Sequence, residues 1–93
     1  MQLTHIGVKM KIKVIKNKDI LDYETWPIWK CEPSKFDWEY LEEEHCYVIE
    51  GKVKVIGSVN TVNITKGDYV IFPKGLKCNW EVTKSIKKYY YFK

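Results

Sequence analysis

Histidine is nearly absent from this chain: His5 and His45 are the two it has among 93 residues. A metal centre built mainly of imidazoles is therefore excluded. Cysteine is scarce as well. Cys31, Cys46 and Cys78 are odd in number and show no CxxC spacing, which argues against a disulfide framework and for a reduced compartment. No apolar run approaches the roughly 18 residues of a membrane helix, so no helical membrane span is expected. The start, Met1-Gln2-Leu3-Thr4-His5, lacks the basic patch and apolar run of a secretory signal, and the cytoplasm is the expected location. There is no linker, internal repeat or low-complexity stretch, and no long helical pattern. One domain over residues 10–92 is expected, with residues 1–9 as a loose lead-in.

Aromatic residues are abundant. Four Trp, seven Tyr and three Phe give a short chain the large apolar surfaces that a thin core needs. Surplus aromatic surface also makes a homodimer a reasonable expectation. Sixteen basic and twelve acidic residues leave a charge of +4, which aids solubility and is weak evidence for a nucleic-acid partner. A nucleic-acid-binding barrel, with Lys87-Lys88-Tyr89-Tyr90-Tyr91 stacking bases, is the rival class. Against it, the aromatics fall largely on alternating inward positions, so nucleic acid is not the expected partner.

Alternation with period two dominates the rest. Val8, Met10, Ile12 and Val14 fall on one face and Lys9, Lys11 and Lys13 on the other, the pattern of a half-buried antiparallel strand. A turn of helix can follow Asp19. Trp26-Pro27-Ile28-Trp29 reads as an extended edge piece, because Pro27 has no donor for a central ladder. Phe36, Trp38 and Tyr40 share a face of the next strand. Residues 45–50 and 52–56 read as two strands joined by a tight turn at Gly51. Thr61–Ile64, Tyr69–Phe72, a strand bearing Cys78, Trp80 and Val82, and Ile86–Phe92 complete eight or so short strands. The expected fold is all-β, an antiparallel barrel or sandwich with little helix.

Two punctuated segments sharpen this reading. Glu44 and Gly51 stand seven apart; Gly67, Pro73 and Gly75 stand six and two apart. These spacings resemble the two half-motifs of a cupin barrel, a double-stranded β-helix of the jelly-roll type. Trp26-Pro27-Ile28-Trp29, Phe36-Asp37-Trp38, Cys46-Tyr47-Val48-Ile49-Glu50-Gly51 and Phe72-Pro73-Lys74-Gly75-Leu76, with Cys78 and Trp80, resemble the small single-domain cupins akin to the cupin domain of (S)-ureidoglycine aminohydrolase. That resemblance implies a manganese-dependent release of ammonia and a histidine-rich ligand set. Here the histidine positions carry Trp38, Tyr40 and Cys78, and Glu44 is the ligand kept.

Strand parity puts Glu44, Cys46 and Val48 on one face, and the barrel pattern brings Trp38, Tyr40, Cys78 and Trp80 to the same mouth. The expected function is binding of a small polar metabolite or ion in the barrel, with Trp38, Tyr40, Glu44, Cys46, Cys78 and Trp80 as ligand-binding residues. The alternative is a metal-dependent enzyme acting on a small nitrogenous compound, with Glu44, Cys78 and Tyr40 as catalytic groups. Glu44, Cys46 and Cys78 form a candidate set for one divalent metal such as zinc, since thiolates and carboxylates are zinc ligands. The opposing expectation is that the cysteines simply pack.

Overall fold

The computed structural model describes residues 10–93. It contains seven strands: β1 (Lys13–Ile15), β2 (Ile28–Cys31), β3 (Ser34–Glu39), β4 (Glu44–Ile56), β5 (Thr61–Thr65), β6 (Tyr69–Phe72) and β7 (Lys77–Phe92). One turn of 3-10 helix at Tyr23–Thr25 falls in the segment expected to turn after Asp19. Every strand pairing is antiparallel. Among the described residues, no helix is long and apolar enough to cross a membrane. The fold is the all-β jelly roll that the sequence pattern anticipated.

Two long strands organise the barrel. β4 and β7 run side by side from Glu44↔Phe92 to Ile56↔Asn79. Toward one end β6 and β2 flank them, with β1 outside β6; toward the other end β5 and β3 take those places. Each long strand thus serves both halves of the barrel. The core between them is made by Ile12, Val48, Val53, Val55, Ile64, Val70, Phe72, Leu76, Trp80, Val82 and Ile86, all nearly inaccessible.

Gly51 does not reverse the chain. β4 passes straight through it, and the expected turn is instead a bulge: the register with β7 shifts between Val48 and Val53. The physical cause is visible in the burial pattern. Cys46 and Val48 face inward before Gly51, and Val53 and Val55 face inward after it, so the inward parity changes from even to odd. An extra residue in one strand absorbs such a change and bends the strand. Gly51 takes φ +102°, and a Cβ there would lie 2.4 Å from the Ser85 carbonyl oxygen. Only glycine allows β4 and β7 to approach so closely at that point. The strand count falls from eight or so to seven because residues 45–56 and 77–92 each form one strand.

At the N-terminus, Lys13–Ile15 is strand, with Met10, Ile12 and Val14 turned inward and Lys11 and Lys13 exposed. The expected lead-in, residues 1–9, lies outside the described residues, as do Val8 and Lys9 of the expected strand. β2 lies at an edge of the sheet, as the Trp26–Trp29 reading required. Its neighbour Pro27 contributes through its carbonyl, which accepts from the Tyr90 N–H at 3.0 Å.

Candidate functional site

The inward face of β7 carries Cys78, Trp80, Val82, Ile86 and Lys88 on even numbers. Lys88 therefore points into the barrel, where it is 4% exposed. Glu44, 6% exposed, opens the inward face of β4. In the ladder Glu44 lies opposite Phe92, Cys46 opposite Tyr90 and Val48 opposite Lys88. The two charged side chains extend toward each other along the strands, and Lys88 Nζ donates to Glu44 Oε2 at 2.5 Å.

This ion pair forms part of the wall of a cavity of about 200 Å³. Tyr40, Trp80, Phe36 and Trp29 line it as well. Strand pairing sets their positions: Phe36 lies opposite Trp80, and Trp29 opposite Lys88. The Phe36 and Trp80 rings are stacked at 6.0 Å, and Trp29 meets Trp80 edge-on at 5.6 Å. Tyr40 stacks on Phe72 at 4.6 Å, with the rings 7° from parallel. Trp38 and Phe92, each 52% exposed, also border the cavity, and so does Tyr90. The Lys88 ammonium lies 4.8 Å from the Trp80 ring centroid, 5.0 Å from Trp29 and 5.6 Å from Phe72. Aromatic faces attract a desolvated cation at such distances.

The Tyr40 phenol and the Cys46 and Cys78 thiols on this face hold their protons more tightly than usual. Burial pushes the Tyr40 phenol well above its usual 10.0, and the negative charge of Glu44 adds to the effect. Burial pushes the Cys46 thiol up to about 12, against the lowering influence of the Lys88 cation. The Cys78 thiol is pushed up to about 11, again by burial first. The Trp80 indole N–H acts the other way on both Tyr40 and Cys78. It nevertheless meets no hydrogen-bond acceptor in acceptable geometry: Trp80 Nε1 is buried and unpartnered among the described residues. A buried donor without a partner carries a desolvation cost of about 1–3 kcal/mol.

The residues singled out from sequence divide between cavity and core. Trp38, Tyr40, Glu44 and Trp80 line the cavity together. Cys46 does not; it is 1% exposed and packed in the core. Cys78 lies opposite Trp38 in the ladder and directs its thiol at the Trp38 carbonyl, 3.7 Å away. It borders a shallow groove with Glu39 and Lys77 rather than the aromatic cavity. Among the described residues no group of three or more His, Cys, Asp or Glu side chains is gathered closely enough to hold a metal ion. Glu44, Cys46 and Cys78 therefore do not form a ligand cluster. His5 lies outside the described residues.

Lys88, Trp29, Phe36, Tyr90 and Phe92 are lining residues that the sequence reading did not assign to the site. A signal for Lys88 was present. It continues the even parity of Cys78, Trp80, Val82 and Ile86, whereas the sequence reading considered it only within Lys87-Lys88-Tyr89-Tyr90-Tyr91 as a stretch for nucleic acid.

The opposite face of the same strands holds a separate polar group. His45 is 6% exposed and lies between Glu43 and Tyr69. Its Nε2 is hydrogen-bonded to Glu43 Oε2 at 2.6 Å, and its Nδ1 to the Tyr69 hydroxyl at 2.5 Å. Tyr91 stacks on His45 at 5.0 Å, and Trp26 meets Tyr91 edge-on at 4.6 Å. Odd-numbered His45 falls on the side of β4 away from Glu44, as strand alternation requires.

Comparison with known proteins agrees with this geometry. Residues 20–90 match the family described as the EutQ-like cupin domain. A DUF861 family protein of Thermotoga maritima has a solved structure that superposes with a TM-score of 0.84 at 42% identity, covering 89% of this chain and 100% of that one. The EutQ protein of Clostridium difficile superposes with a TM-score of 0.62 at 25% identity, covering 85% of this chain and 64% of that one. In sequence, the acetate kinase EutQ of Clostridioides difficile is 30% identical over an alignment of 74 positions that covers 74% of this chain and 47% of that protein. The chain thus spans about half the length of the curated relative it matches. The resemblance to cupins holds, and the matching family is the EutQ-like one rather than the ureidoglycine aminohydrolases specifically. This chain belongs to the EutQ-like cupin domain family.

Proposed function

We propose that this protein binds a small polar metabolite in the aromatic cavity, with Glu44 and Lys88 as its polar anchors. One observation carries the reading: a buried ion pair faces a cavity whose walls are otherwise aromatic. Such a pair is a poor stabilising device, because well-packed apolar residues of similar volume usually do as well or better. Small-molecule sites have this composition, apolar walls with a few convergent polar groups. The volume suits a compact ligand: about 200 Å³ is the share of six or seven waters at about 30 Å³ each. The protonated Tyr40 phenol supplies a further donor and acceptor beside them.

Two enzymatic readings draw less support. Phosphoryl transfer, the activity in the name of the Clostridioides difficile relative, needs several cations or backbone donors around a polyphosphate. This cavity offers one ammonium, already paired. Metal-dependent hydrolysis of the ureidoglycine kind would draw on Glu44, whose Oε2 is held by Lys88. Glu44 is therefore proposed as an anchor for ligand polar groups.

Nitrogen-15 NMR of the tryptophan indole signals tests the reading. Trp29, Trp38 and Trp80 border the cavity, whereas Trp26 packs on Tyr91 across the sheet. Titration with a panel of small amides, amino acids, carbonyl compounds and polyols is expected to give saturable shifts at the first three and a still signal at Trp26. Uniform shifts, or none with any panel member, would overturn the proposal. Elemental analysis of the same preparation, purified without chelators, determines whether a metal accompanies the ligand.

A further inference from the structure

Lys88 offers more than a binding contact, because a primary amine with an adjacent proton acceptor is also a nucleophile. We propose that Lys88 reversibly captures a small uncharged aldehyde or ketone as an imine, with Glu44 carrying the protons; this rests on the cavity being a small-molecule site. The charge of the site selects an uncharged ligand. Glu44 would repel an anion and Lys88 a cation, while their pair at 2.5 Å is neutral as a unit.

The geometry supplies each part of the step. Transfer of one proton along the hydrogen bond from Lys88 Nζ to Glu44 Oε2 gives a neutral amine beside a neutral acid. The nitrogen lone pair then forms the C–N bond as the carbonyl π bond breaks, and the oxygen takes a proton that the nitrogen releases. The carbinolamine hydroxyl next receives the proton held by Glu44 and leaves as water, and the nitrogen keeps the resulting iminium charge. Overall, one carbonyl compound and the Lys88 ammonium give one iminium and one water, Glu44 ends as the carboxylate it began as, and no oxidation state changes. The product cation sits at the atom where the ammonium stood, in reach of Trp80, Trp29 and Phe72 at 4.8, 5.0 and 5.6 Å. The aromatic stabilisation of a cation at that point is retained in the iminium. The apolar walls also limit the water available to reverse the reaction.

Reductive trapping tests this on the intact chain. Propanal with cyanoborohydride converts any lysine imine into a stable N-propyl lysine, which peptide mass mapping assigns to a position. Exposed Lys52 and Lys54 on β4 serve as internal references. General acid–base assistance predicts labelling of Lys88 about 100-fold faster than at those references. Glu44→Gln is expected to bring Lys88 down to the reference rate, and Lys88→Arg to abolish the labelling without altering the references. Circular dichroism establishes that each variant is folded, and the wild-type comparison among lysines stands even where a variant is not. Lys88 labelled no faster than Lys52 overturns the imine. If the Trp29 and Trp80 signals still shift saturably with panel ligands, the binding reading survives that failure. If they also stay still, both readings fall.

Discussion

At the scale of single residues, the pair formed by Glu44 and Lys88 dominates the energetics of the site. Both side chains are under a tenth exposed, so removing one leaves the other charged and unpaired in an apolar setting. Glu44→Ala is expected to cost about 3–5 kcal/mol. Replacing both partners, Glu44→Met with Lys88→Met, removes the charges together and is expected to restore wild-type stability to within about 1 kcal/mol or exceed it. Urea denaturation of the two variants measures the contrast. A single variant as stable as wild type would mean that Lys88 reaches solvent instead of remaining in the barrel. The thiols offer a second residue-level check. Cys46 and Cys78 are buried, with their protons held to about 12 and about 11, while Cys31 is partly exposed. Since the thiolate is the nucleophile, iodoacetamide at neutral pH is expected to modify Cys31 alone, and the other two only after unfolding. Mass spectrometry of the native and denatured reactions reads this directly. Rapid modification of Cys46 in the native protein would contradict its place in the core.

At the scale of elements, β4 shows what alternation can and cannot reveal. The inward residues Cys46, Val48, Val53 and Val55 were legible, and so was the need for a backbone irregularity at Gly51. What was not legible was its kind. A turn and a bulge both break the period and both suit glycine; they differ in whether the next residues find a new partner strand or stay with the old one. Val48 pairs with Lys88 and Val53 with Val82, so the partner remains β7, a tertiary fact that β4 alone does not contain. Lys88 was missed for a related reason. Its inward parity was present, but the carboxylate that makes its burial tolerable sits 44 residues away. The aromatic box was partly legible, through Phe36, Trp38 and Tyr40 on one strand face; Trp29 joined it through β2 pairing with β7. The bulge itself predicts a contrast between two glycines. Gly51→Ala meets both a positive φ and a Cβ 2.4 Å from Ser85 O, whereas Gly67→Ala meets a positive φ of 92° and open space. Strain alone is expected to cost about 1–3 kcal/mol at each site, and the backbone clash adds to it at Gly51 only. Thermal unfolding should therefore show a distinctly larger fall in Tm for Gly51→Ala. Equal falls would mean that β7 moves aside easily at Ser85 and that the bulge is not tightly held.

At the scale of the whole molecule, the inward face behaves as one desolvated unit, and its response to pH follows from that. The ordinary thiol value is 9.0, but burial raises Cys46 to about 12 and Cys78 to about 11. Tyr40 on the same face and Tyr69 on the opposite face are raised in the same direction, both chiefly by burial. Between the ordinary and the raised values the unfolded chain has released protons that the folded chain still holds. Folded protein therefore binds more protons there, and its stability must fall as pH rises. The contribution from these groups is fully present below about 9, where both states are protonated, and is lost as pH climbs through the folded values of about 11 and 12. Cys46 makes the steepest demand among the thiols because it lies deepest in the core. Denaturation midpoints are expected to decline progressively above about pH 9. A Cys46→Ala, Cys78→Ala double variant is expected to be less stable at neutral pH, because it leaves small voids. Its midpoint should nevertheless decline more gently, because the thiol contribution is gone and the tyrosines carry what remains. Wild-type midpoints that stay level into the alkaline range would show that water reaches these groups in the folded state. Parallel slopes for the two proteins would assign the whole effect to the tyrosines, and with it the conclusion that the thiols are less isolated than their packing implies.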